Sequence, residues 1–210
     1  MNNMNGIEDQ RLPLLESSGL ETGGRFVPRF QVGVGQSVCL HVEHQPEFPW
    51  YDWILPLLKG DVEHPAIGRR GVHFYMRAAS ADRGWFGRLK GTTALDWLVK
   101  RQGVPLHEAE RILKLVDAPP NIRVNWLPLN ERMTIALEAC LVHPPDLLLF
   151  DTFGCAAYTV QSLFDRLATR PSQLALAYLK TNLNYDDYPC LPGAACHVIA
   201  DLNHQPTAVE

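Results

Sequence analysis

The chain has 210 residues, 46% of them hydrophobic and 20% charged, with a formal net charge of −4 and an isoelectric point near 6.1. That length suits one large domain or two small lobes sharing a core. The acidic balance, with basic residues scattered along the chain, excludes an electrostatic case for a nucleic-acid partner. Five cysteines, odd in number and without C-x-x-C spacing, point to free thiols in a reducing compartment. No four-ligand set surrounds His41, His44 or the Cys196-His197 pair, so no metal is expected. No apolar run approaches the ~20 residues of a spanning helix and no signal-like segment opens the chain. The expected location is the cytoplasm, or the inner face of a membrane through a partner.

In chain order, the polar residues 1–10 are expected to be disordered and 11–210 to form a single domain. Apolar runs over 12–16 and 25–32, separated by the Gly23-Gly24 turn, read as a hairpin. After the turn Gly33-Val-Gly-Gln-Ser37, the run Val38-Cys-Leu-His-Val42 reads as a buried strand. A helix is expected to end near Lys59, a strand to cover 72–77 and an irregular loop 78–91. Helices fit 92–102, 105–116 and 130–143. The second carries Leu106, Ala109, Ile112, Leu113 and Val116 on one stripe. The third is apolar on more than one side, with Asn130 as its cap. Residues 146–151 are a continuous apolar run of the kind found in parallel sheets. A helix over 156–169 and strands over 173–179 and 195–201 complete an α/β sheet covered on both faces.

The stretch Leu127-Pro-Leu-Asn-Glu-Arg-Met-Thr-Ile-Ala-Leu-Glu-Ala-Cys-Leu-Val-His-Pro-Pro-Asp-Leu-Leu-Leu-Phe-Asp151 has an uninterrupted apolar frame. It resembles the second half of an ABC transporter ATPase, from the signature through its helix to the strand that ends in Asp-Glu. Val34-Gly-Gln-Ser-Val-Cys-Leu-His-Val42 is similar to the segment leading into that family's phosphate loop. The resemblance implies a P-loop NTPase (RecA-like) core of the ABC ATPase type, with an N-terminal antiparallel β portion. It also implies a helical subdomain over about 79–140.

The letters that carry the family's chemistry are replaced. A phosphate loop needs glycines whose N–H groups curl around phosphate, a lysine to neutralise it and a hydroxyl for magnesium. Between Glu43 and Leu58 there is no Gly, Lys, Arg, Ser or Thr. Glu43, His44, Gln45, Glu47, Trp50 and Tyr51 occupy the loop, and its prolines have no N–H to donate. The rings of Phe48, Trp50, Tyr51 and Trp53 either fill the vacated pocket or form a contact surface.

Elsewhere the resemblance implies that Asp151 stands where magnesium would be oriented and Thr152 where the catalytic glutamate would be. Lys180 falls at the switch histidine, as a solvated strand end, and Arg77 at the glutamine that touches magnesium. Arg77 is expected to pair with Asp151 or a loop carboxylate in a buried or half-buried ion pair. Pro128, Leu129, Asn130 and Glu131 replace the signature, without its glycines. Trp85 and Phe86, with Arg77, fall where the family receives its membrane partner.

The expected function is a degenerate, non-hydrolysing ABC ATPase-like subunit with a structural or regulatory role in a membrane-associated transport or assembly complex. Its partner would be an integral membrane permease or another ABC ATPase subunit, in a homo- or heterodimer, without nucleic acid. No cofactor is expected. ATP and magnesium belong to the alternative of a divergent working ATPase, and a free-standing interaction protein is the third reading.

Overall fold

A computed structural model of the chain describes residues 12–22, 24–42, 53–80, 91–181 and 190–201. The expectations for residues 1–10, for Glu43, His44, Gln45, Glu47, Phe48, Trp50 and Tyr51, and for Trp85 and Phe86 lie outside the described residues. The chain divides into two compact units. The first combines Met1–Tyr75, Pro145–Gly154 and Pro171–Glu210; the second combines Met76–Pro144 and Cys155–Arg170.

The first unit is built on one mixed sheet. Strands β1 (Leu15–Thr22), β2 (Arg25–Val32), β3 (Ser37–Val42), β4 (Ile67–Arg69), β5 (His73–Met76), β6 (Leu147–Asp151), β7 (Ala175–Thr181) and β8 (Ala195–Asp201) lie in the order β4-β1-β2-β8-β3-β7-β6-β5. The first hairpin is antiparallel, with Leu15 opposite Val32 and Thr22 opposite Arg25, and β4 pairs antiparallel with β1. Beyond β8 the pairing turns parallel: β3 with β8, β3 with β7, and β6 with β7.

The expected strand over 12–16 begins later and runs further. Leu15 and Leu20 enter the core, but the alternation between them is carried by Ser17, which is 4% exposed and accepts the Gly19 N–H at 3.2 Å. A buried serine satisfied by its own chain is invisible to a hydrophobic pattern. Strand β4, three residues between Pro65 and Gly71, was likewise not expected.

The parallel strands show period-two burial on both faces. Leu147 and Leu149, Ala175, Ala177 and Leu179, and Val38, Leu40 and Val42 share a core with Ile54, Leu55, Leu57 and Leu58 of α1 (Ile54–Lys59). Each valine, leucine or isoleucine among them, fully buried, contributes about 1.5–3 kcal/mol. Pro56 is tolerated because the first helical N–H groups have no partner within the helix. Gly60 ends α1 in the left-handed conformation, its N–H returning to the Pro56 carbonyl at 3.0 Å.

The loops that launch β3 and β7 touch. Gly35 donates to the Gln173 carbonyl at 3.1 Å and has φ +72, and a Cβ there would lie 2.4 Å from the Ser172 carbonyl oxygen. Gly35→Ala should therefore cost more than about 1 kcal/mol, because the backbone angle and the space are both wrong. A melting temperature equal to that of the parent by circular dichroism would show the two loops to be further apart.

The second unit is helical. It holds α2 (Ala94–Asp96, continuing as a π-helical turn through Trp97–Arg101), α3 (Leu106–Leu115), a 3-10 turn at Val124–Trp126, α4 (Leu129–Val142) and α5 (Ala157–Leu167). The Thr93 side chain caps α2 by accepting the Asp96 N–H at 3.1 Å. On α3 the stripe holds for Ala109, Ile112 and Leu113, but Leu106, the first helical residue, is 55% exposed. On α4 an unbroken run from Met133 to Leu137 is buried, so this helix is enclosed on several sides. Glu138 receives Arg166 at 3.1 Å and Arg111 at 3.5 Å, joining α3, α4 and α5. No helix among the described residues is long and apolar enough to cross a membrane.

Candidate functional site

In a parallel sheet the carboxyl ends of the strands are where loops converge and ligands bind. Here that edge carries Asp151 at the end of β6 and Thr181 at the end of β7. Asp151 stands opposite Leu179, and β7 continues two residues further.

Both oxygens of the Asp151 carboxylate have donors from the protein. Oδ2 accepts the Tyr75 hydroxyl from β5, and Oδ1 accepts the Phe153 N–H at 3.1 Å in a tight turn. Tyr75 itself packs against the first unit's core, with the Lys59 ammonium 5.7 Å from its ring centre. The sequence did not single out Tyr75. Its place on a strand next to β6 is set by the sheet order, which one sequence does not reveal.

Thr152 is 3% exposed. Its N–H and its hydroxyl both donate to the Leu179 carbonyl, at 3.0 and 3.2 Å. A hydroxyl directed at a carbonyl inside the sheet is a donor in use, in a place where the resemblance would put a water-activating carboxylate.

Lys180 corrects the expectation of a solvated strand end. It is 8% exposed, and its Nζ lies 3.4 Å from the Cys190 Sγ. The strand β7 starts two residues later than its apolar pattern suggests, because residues 171–174 form a turn closed by Leu174 N–H on the Pro171 carbonyl at 3.0 Å. The strand also runs two residues further, to Thr181, so Lys180 lies within the sheet opposite His41.

Arg77 follows β5 and is exposed. Two residues earlier, Tyr75 brings its hydroxyl to Asp151 Oδ2.

One further acid has a clear structural duty. Asp146 accepts the Val72 N–H at 2.7 Å, while its own N–H and that of Leu147 donate to the Val72 carbonyl at 3.0 and 3.2 Å. This clasp fixes the start of β5 to the start of β6, and so places Tyr75 against Asp151.

A row of thiols crosses the same sheet. Cys39 on β3 stands opposite Tyr178 on β7 and Cys196 on β8. Burial pushes the Cys39 thiol up to about 12. Burial likewise raises the Tyr178 phenol, whose oxygen accepts the Leu191 N–H at 3.1 Å. The Tyr178 ring stacks on Phe150 with centres 5.5 Å apart.

In the second unit, the signature-equivalent residues open α4. The helix begins at Leu129 with Pro128 before it, so Asn130 lies inside the first turn and is not the cap. The helix therefore starts one residue earlier than expected, at Leu129. The first-turn charge facing the helix dipole is Glu131, a carboxylate, as that end of a helix favours. Just upstream, Trp126 is 69% exposed with the Arg123 guanidinium 4.8 Å over its ring. Of the ring cluster that begins at Phe48, Trp53 is described: it packs on the core, and the Arg25 guanidinium lies 5.2 Å from its ring centre.

No family model and no curated protein matches the sequence. Solved structures match the fold. A transporter described as an ABC transporter of the metal-chelate type, in an inward-facing conformation, aligns over 91% of this chain and 81% of its own, with TM-score 0.62 and 13% identity. The ATP-binding cassette MJ1267 of an ABC transporter aligns over 91% and 89%, with TM-score 0.61 and 12% identity. CbiO1 from Clostridium perfringens, part of the ABC transporter complex cbiONQ, aligns over 91% and 86%, with TM-score 0.52 and 11% identity. At these identities the likeness establishes a fold: this chain is folded as the ATP-binding cassettes of ABC transporters are.

Proposed function

We propose that the chain is a non-hydrolysing ATP-binding-cassette subunit, retained as a structural or regulatory part of a membrane-associated transport or assembly complex. The observation that carries this reading is the end of β6. There the one acid kept from the family pattern, Asp151, is engaged by Tyr75 and Phe153, and the Thr152 hydroxyl is spent on the Leu179 carbonyl. A carboxylate already held by protein donors is a poorer ligand for a hard cation that demands near-octahedral oxygens. A threonine in this state cannot take a proton from water. The sequence adds a phosphate-loop region without glycine, lysine or hydroxyl, and Pro128 and Leu129 where signature glycines would stand. Loss of the phosphate-loop residues, the signature glycines and the catalytic glutamate together argues against rescue by a competent second subunit.

The partner in this reading is an integral membrane permease or another ABC ATPase subunit, and the chain works on the cytoplasmic face of the membrane. CbiO1, whose fold this chain shares, is itself one part of a transporter complex. Arg77, Trp85 and Phe86 are assigned to docking. Titration with a fluorescent ATP analogue and magnesium tests the core of the proposal. No saturable, magnesium-dependent signal is expected. Micromolar binding would replace the proposal with a divergent working ATPase. Copurification from membranes with a multi-spanning protein is the expected companion result.

A further inference from the structure

The buried cation at the end of β7 has a chemical consequence independent of nucleotide binding. Lys180 is 8% exposed, and its Nζ lies 3.4 Å from the sulfur of Cys190, which is exposed. We propose that Lys180 and Cys190 form an oxidative cross-link site, in which peroxide joins the lysine nitrogen to the cysteine sulfur through one oxygen atom. The buried lysine stem leaves the amine little freedom, so the pair behaves as an intramolecular reactant. Cys190 is an exposed residue, which gives a small oxidant a path to it.

The other cysteines lack this arrangement. Cys39 and Cys140 are buried, their thiols both pushed up to about 12 by burial, so almost no thiolate is present at neutral pH. Cys155 is buried as well. Cys196 is exposed, and its sulfur lies 4.0 Å from the Ala194 carbonyl and beside the Cys39 thiol, with no amine among these neighbours.

The step consumes two equivalents of hydrogen peroxide. The first oxidises the Cys190 thiol to a sulfenic acid and leaves as water. The Lys180 ammonium gives up a proton to solvent, and the second peroxide oxidises the free amine to a hydroxylamine, again releasing water. Condensation of the two hydroxyl groups then forms the N–O–S bridge and a third water. Sulfur and nitrogen each lose two electrons, and the two peroxides accept all four. The bridge closes the segment 180–190 into a covalent loop and uses up the one buried cation of β7 among the described residues.

The test is peroxide treatment of the full folded chain, alkylation of the remaining thiols, intact mass and peptide mapping. The expected product is heavier by about 14 Da before alkylation, one alkylated thiol short, and restored by dithiothreitol. Its cross-linked peptide contains Lys180 and Cys190. Cys190→Ser, at an exposed position that leaves the core untouched, should abolish this species, and Cys196→Ser should keep it. Sulfinic acid on Cys190 with an unmodified Lys180 would overturn the proposal. So would a disulfide from Cys190 to Cys39 or Cys196, or oxidation confined to Cys196.

Discussion

Replacing Thr152 with glutamate is expected to destabilise the protein by about 3–5 kcal/mol and to return no ATPase turnover. Restoring the acid would be the direct way to revive a damaged ATPase, but this position is no longer one that receives an acid. Thr152 is 3% exposed, and both its N–H and its hydroxyl are bonded to the Leu179 carbonyl. A glutamate there loses the hydroxyl donor, adds volume to a filled site and buries a carboxyl without a cation shown to meet it. Burial would hold the folded-state pKa of that carboxyl above its unfolded value. The folded state then binds more protons than the unfolded chain in the window between the two values, so stability falls as pH rises through it. The deficit of Thr152→Glu relative to the parent should therefore be smaller near about pH 4, where the lost hydroxyl donor and the added volume still count, and full by neutrality. Denaturant unfolding of both proteins at the two pH values measures this. A deficit independent of pH would mean that the new carboxylate reaches solvent, and that the site is more open than the Thr152 bonds imply.

What the sequence revealed depended on whether a position is governed by local pattern or by tertiary placement. Strands β3 and β6 are unbroken apolar runs bounded by turns, and they form within a residue of their expected limits. The enclosed run on α4 is equally local. By contrast β1 carries its inward alternation through Ser17, and β4 is held by three backbone pairings to β1, so neither offers a hydrophobic period. At the site, the positions of Asp151 and Thr152 follow from the frame of β6. Their partners do not. Tyr75 meets Asp151 from the neighbouring strand β5, seventy-six residues earlier, and Leu179 meets Thr152 from a strand twenty-seven residues on. Lys180 was misjudged for a general reason: lysine is rarely buried, and a pattern reading assigns it to solvent. Here β7 continues through Lys180 to Thr181, paired with β3, and the strand pairing overrides that preference.

The end of β6 also separates what the fold needs from what nucleotide chemistry would need, because adjacent residues should respond very differently. Phe150 is fully buried and stacked on Tyr178, so Phe150→Ala should cost about 3–5 kcal/mol through a cavity beneath the sheet. That is a large share of the ~5–15 kcal/mol available to a folded domain, and partial unfolding at ambient temperature is expected. Asp151→Asn keeps the shape and one acceptor for the Phe153 N–H, while the amide NH2 turns to donate to the Tyr75 oxygen, at a cost of about 1 kcal/mol. If β6 is kept for packing alone, magnesium and ATP should raise the melting temperature of neither the parent nor Asp151→Asn, since a ligand stabilises only what it binds. A rise with magnesium and ATP in the parent that vanishes in Asp151→Asn would assign Asp151 to a metal after all. The Tyr75 bond would then be a contact that opens when the nucleotide arrives, and the non-hydrolysing reading of this fold would have to be given up.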